Sequence, residues 1–133
     1  MRKQGWDVLL GKFIASRLDT PFQWGIHDCT LFAADCMEAI TGTDPAATYR
    51  GTYDSAATAG RIIADGGGLR AIVTATLGPE ISISRARRGD LVMIEQDGSN
   101  AMAVCIGASL VAAGTAGLVY RPISAAITAW RVD

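Results

Sequence analysis

The pair Asp28-Cys29 is the place in this sequence best equipped for covalent chemistry. An aspartate just before an apolar-periodic run is a helix N-cap signal, so Asp28 is expected to cap a helix whose first residue is Cys29. A thiol in that position meets the positive end of the helix dipole and the free amides of the first turn. Both are expected to lower its pKa, and the amides can hold an oxyanion. A cysteine hydrolase needs more than this: a base within hydrogen-bond reach of the sulfur, and a third polar group to orient that base. The chain has one histidine, His27, two residues before Cys29 on the loop side of the helix start. A Cys29/His27 dyad is one reading of these residues. The plainer one makes Cys29 a small apolar residue at the end of a core stripe and His27 a surface or cap residue.

The other reactive types add little. Cys29, Cys36 and Cys105 are three in number, contain no CxxC pair and share the chain with a single histidine. That argues against a structural zinc site and against a disulfide framework, so neither metal nor cofactor is expected. Seven residues on one helix would separate Cys29 from Cys36 by about 10 Å, beyond disulfide reach. Gly66-Gly67-Gly68 is followed by no Lys-Ser/Thr and reads as an interhelix turn, not a phosphate loop.

Twelve Lys+Arg against thirteen Asp+Glu leave a formal charge of −1 over 133 residues, and the only cluster of like charge is Arg85, Arg87 and Arg88. No nucleic-acid partner is expected from that balance. The start, Met1 to Phe13, places Asp7 and Lys12 before any uninterrupted apolar stretch, so no signal peptide is expected. Asn100 to Tyr120 carries no charge, yet Gly107, Ser109, Gly114, Thr115 and Gly117 punctuate it as strands and turns, so no membrane span is expected. Half the residues are hydrophobic, and mean hydropathy is +0.25, enough for a core with apolar surface left for a partner.

The elements that position Asp28-Cys29 follow from periodicity. Trp6, Leu9, Leu10, Phe13 and Ile14 predict an amphipathic helix over residues 4–18 that Pro21 ends. A structured loop, Pro21 to Asp28, then enters the helix of Cys29, Phe32, Ala33, Cys36, Ala39 and Ile40, which stops at Gly42. Asp54/Ser55 caps a third helix over 56–65, and Gly78-Pro79 closes a fourth over 69–77. Beyond Arg88 the pattern turns extended, with five short strands expected at 91–94, 101–106, 110–113, 118–123 and 127–132 and a polar turn at 96–100. The expected fold class is α+β in a single domain over residues 1–133, with a helical half of about 1–84 and a strand half of about 85–133.

Three short stretches carry a family resemblance: Phe22-Gln23-Trp24-Gly25, Asp28-Cys29 at a helix start, and Gly89-Asp90 before the sheet. Together they resemble the NlpC/P60 cell-wall peptidases, which are papain-like. Phe32-Ala33-Ala34-Asp35, Thr41 to Ala46, Arg50-Gly51-Thr52-Tyr53 and the closing Ala129-Trp130-Arg131-Val132 are also similar to short phage-encoded proteins of undefined function found among tail genes and in prophages. That second likeness covers nearly the whole length.

The resemblance implies an NlpC/P60 fold, with helices packed on an antiparallel meander or open barrel of about five strands. It also implies Cys29 as the nucleophile position, and Phe22 and Trp24 lining a groove. The family's base is a histidine on the second strand of the meander; laying Ala101 to Gly107 on that pattern puts Ala101 at its place. The next strand, Leu110 to Ala113, offers alanine for the orienting group. The function implied is a catalytically degenerate structural part of a phage tail tip or baseplate, made in the host cytoplasm, assembled into the virion tail and contacting other tail proteins. The alternative is a cysteine peptidase or amidase cutting peptidoglycan stem peptides through Cys29, with His27 as a makeshift base. A third is a module that grips wall peptides without cutting them.

Overall fold

A computed structural model describes residues 1–133, and its architecture is α+β: four helices followed by a six-stranded antiparallel open sheet. The helices are α1 (Trp6–Arg17), α2 (Cys29–Thr41), α3 (Ala56–Asp65) and α4 (Leu69–Leu77). The strands are β1 (Glu80–Ile81), β2 (Leu91–Gln96), β3 (Ser99–Cys105), β4 (Ser109–Gly114), β5 (Gly117–Pro122) and β6 (Thr128–Trp130).

Local chemistry sets the helix ends. Asp28 Oδ1 accepts from Leu31 N at 2.9 Å, which satisfies one of the orphan amides of α2. At the other end Gly42 takes φ +82°, where a side chain would be strained, and its N–H donates to Glu38 O. Ser55 and Thr58 form a reciprocal capping box on α3. The glycine triplet links α3 to α4 as a turn, as expected. In α1 the buried stripe is narrower than the spacing predicts: Leu10 and Ile14 are buried, Trp6 and Phe13 partly so, and Leu9 faces solvent.

The sheet order is β1-β6-β2-β3-β4-β5. Strands β2 to β5 form the expected meander, but the chain then returns across the sheet so that β6 pairs with β2 and carries β1 on its outer side. The expected five-stranded meander is thus corrected to six strands with a crossover. The turn between β2 and β3 is tighter than the one predicted over 96–100. Asp97 at φ 53° and Gly98 at φ 80° make a two-residue hairpin, and Ser99 and Asn100 already belong to β3.

Alternate residues of the central strands feed two cores. On one face Leu91, Met93, Met102, Val104, Val111 and Trp130 pack with Phe32, Cys36 and Ile40 of α2 and with Leu10 of α1. On the other, Val92, Ile94, Ala103, Leu110 and Ala129 lie under Ile83 and Ile123, each in a short 3₁₀ turn. Burial on both faces is why β2 to β4 read as apolar runs without alternation, and why the uncharged stretch from Asn100 to Tyr120 is a set of strands. No helix is long and apolar enough to cross a membrane.

The Gly89-Asp90 motif is the knot of the strand half. Asp90 is fully buried, and it pairs with Arg2 Nη2 at 2.9 Å and lies 3.2 Å from Arg131 Nε. It also accepts from Arg87 N and Val132 N. Arg2 in turn donates to Val132 O and Arg88 O, and its guanidinium lies over the Trp6 ring.

Candidate functional site

The loop before α2 is held by backbone and carboxylate together. Gln23 and His27 exchange backbone hydrogen bonds at 3.0 and 2.8 Å, which closes Trp24 to Ile26 into a tight turn. Gly25 sits at φ +80° inside it, and any Cβ there would run into Tyr53 O. Phe22 packs edge-on against Trp24, ring centroids 4.9 Å apart, and Trp24 remains 37% exposed.

Asp28 does more than cap a helix. Its Oδ2 accepts from Gly25 N at 3.0 Å and from Tyr53 Oη at 2.5 Å while Oδ1 serves Leu31 N. Three donors engage both oxygens of a carboxylate that is almost completely buried. Burial first, then the bond to Asp28, pushes the Tyr53 phenol well above its ordinary value. Tyr53 therefore stays protonated and acts as a donor. The neighbouring motifs join the same framework. Arg50 bridges Asp35 at 2.5 Å and Asp44 at 2.6 Å, while Asp44 Oδ1 caps Ala46 N. That guanidinium holds the Asp44 carboxyl below its usual range. The Asp35, Asp44, Arg50 and Tyr53 signatures thus fasten the 44–55 link to α2, a role their spacing did not disclose.

Cys29 is the first residue of α2, as expected, and is half-buried. Its Sγ lies 3.6 Å from Thr30 Oγ1. The residue packs against the sheet cluster that includes Ala101 and Ala103, and the Met102 backbone between them faces the thiol. Burial raises the thiol pKa, and the opposing pull of the Met102 backbone and of Thr30 does not cancel it. The lowered pKa expected from the helix terminus is not what these surroundings give, because burial is the largest influence and acts upward. No imidazole or carboxylate hydrogen-bonds the sulfur.

His27 is not at the surface, the reading its loop position favours. It is 3% exposed, its ring stands edge-on to Phe32 at 5.7 Å, and neither ring nitrogen has a partner. Burial first, then the charge of Arg17, lowers its pKa, so the ring is neutral near pH 7. The structure places His27 against the α2 core residue Phe32 and brings no bond between it and Cys29.

A cavity of about 300 Å³ opens beside Cys29. Its walls come from α2, the 44–55 link, α3, α4 and the start of β3, and twelve of its seventeen lining residues are hydrophobic. Trp24, Cys29, Tyr49, Ile63 and Ile72 mark its extent, with Ser99 and Asn100 at the strand end. The resemblance implies a groove lined by Phe22 and Trp24; Trp24 does line this cavity, whereas Phe22 packs against the core between helices and sheet. The contribution of α3 and α4 carried no motif to announce it.

A comparison with proteins of curated function finds no match. A family described as a domain of unknown function (DUF6950) matches residues 1–132, so that nearly the whole of this framework, from Arg2 at Asp90 to Tyr53 at Asp28, is a family unit, and the chain belongs to the DUF6950 family.

Proposed function

We propose that this protein is a catalytically idle relative of the NlpC/P60 peptidases that serves as a structural part of a bacteriophage tail tip or baseplate. The observation that carries the idle site is Cys29: a thiol whose pKa burial raises, facing a strand that presents Ala101 and Ala103 where a base would have to stand. A cysteine hydrolase gains its nucleophile by deprotonation, and here burial opposes the thiolate while no acceptor takes the proton. The NlpC/P60 relationship is supported by the order of parts, with Asp-Cys at the start of the helix that packs on the sheet and Gly-Asp leading into β2. The tail role rests on the likeness of the Phe32–Asp35, Thr41–Ala46 and Arg50–Tyr53 segments to phage tail-cluster proteins.

The test is enzymatic and chemical. Purified protein incubated with muropeptides is expected to release no product, and its Cys29 is expected to react with iodoacetamide at pH 7.4 no faster than an ordinary free thiol. Product that appears with the parent protein and vanishes in Cys29→Ala would replace this reading with a peptidase. The tail assignment is tested separately, by probing purified virions of a phage that encodes the protein. Its absence from the particle would remove that role.

A further inference from the structure

We propose that the cavity beside Cys29 is a binding site for a neutral aromatic group of about two fused rings bearing one hydrogen-bonding atom, an indole in size and polarity. Three observations on its wall point there. The first is volume: a dry apolar cavity of about 150 Å³ accepts a benzene ring, and this one, at about 300 Å³, has room for a second fused ring. The second is charge. Asp28 is the only ionisable carboxylate on the wall, no Lys, Arg or His joins it, and both of its oxygens are committed to Leu31 N, Gly25 N and Tyr53 Oη. A ligand rich in carboxylates would be desolvated there without a cation to meet it, at a cost that disfavours binding. The third is polarity at the edge. Ser99, Asn100 and Thr30 line the cavity beside the apolar Ile62, Ile63, Leu69 and Ile72, so polar groups are at hand to satisfy one donor or acceptor on the ligand.

This inference rests on the cavity wall and holds whether or not Cys29 reacts, so it stands or falls apart from the idle-enzyme reading. A neutral indole can come from a free small molecule or from a tryptophan side chain of a protein partner; the chemistry recognised is the same.

Gly60 provides a clean way to close the site. It lines the cavity in the middle of α3, and a Cβ built on it meets no atom within 4 Å. Gly60→Leu therefore adds an apolar side chain at the cavity wall without a clash at its Cβ, and it improves helix propensity, so the fold is kept. Indole and N-acetyltryptophanamide, titrated into the isotopically labelled protein, are expected to shift the amide signals of Ser99 and Asn100 saturably. Gly60→Leu, with an unfolding midpoint no lower than the parent, is expected to weaken both by about tenfold or more, a difference of about 1.4 kcal/mol or more. Tighter binding of the amide assigns the site to a side chain, and tighter binding of indole assigns it to a small molecule. The proposal is overturned if neither probe binds saturably, if Gly60→Leu binds as the parent does, or if a carboxylate-rich stem peptide displaces indole from these residues.

Discussion

Asp90 and Cys29 each follow a residue that reads as a signal, and the structure gives them opposite surroundings. Around Asp90 both carboxylate oxygens meet donors or cations. Two arginines from the two ends of the chain and two backbone amides converge on one fully buried carboxylate. Around Cys29 the backbone is pinned just as firmly, through Asp28, but the side chain faces an open apolar volume. The lesson is that a short motif can mark a fastening as readily as a reaction centre, and that what separates them is the room left in front of the side chain. Asp28 belongs to the first kind and Cys29, its immediate neighbour, to the second.

Substitutions can break that contrast. Asp90→Ala removes the carboxylate from Arg2 and Arg131 and leaves the buried Val132 N–H unpaired. It is expected to cost about 3–5 kcal/mol in urea unfolding, the range for removing one member of a buried charge network. Asp28→Ala loses the cap, the Gly25 turn and the Tyr53 contact, and is expected to cost about 2–3 kcal/mol. Cys29→Ala should cost less than either, because the sulfur is half-buried beside empty space. If Cys29→Ala proves as damaging as Asp90→Ala, the division into fastening and open site fails.

His27 sharpens the comparison from a third side, as a buried polar group with no partner. Its folded pKa lies below the ordinary 6.5 because burial and Arg17 disfavour the charged form, while Asp35 and Asp28 oppose them. The unfolded chain therefore binds the proton more readily, and stability is full above about pH 6.5 and falls as pH drops below it. Following the unfolding midpoint from pH 7.5 to 5 in the parent and in His27→Phe should show that fall shrinking in the variant. An unchanged slope would mean that the ring gains a partner when protonated.

Much of the helical half was legible because its signals are local. Asp28 and Gly42 bracket α2 at Cys29–Thr41, and Ser55, the glycine triplet and Gly78 bracket α3 and α4. The sheet was legible in content and less so in arrangement. Strand β1 has two residues, too few for an alternation, and β6 finds β2 only after the chain has built three strands between them. The site was the least legible. The Asp28–Tyr53 bond spans 25 positions and the Arg50–Asp35 bond 15, and neither residue type announces its partner. The burial of Cys29 depends on packing against β3, some seventy residues away, and the burial of His27 depends on Phe32 being turned toward it. The Asp97-Gly98 dipeptide is the one signal that could have fixed the β2–β3 register in advance.

The two outer strands bear on how copies or partners can join. One margin of the sheet ends in the two-residue β1. At the other, the segment after α1 runs alongside the β4–β5 hairpin: Leu118 N donates to Leu18 O and Phe22 N to Thr115 O, and Gly117 leaves no gap for a Cβ beside Leu18. Pro122, at the end of β5, has no N–H to offer. A neighbour thus finds only a short stretch of free ladder at either margin, so main-chain templating into fibrils is disfavoured, and higher-order contacts fall more to side chains such as Tyr120, Ile127 and Ile26.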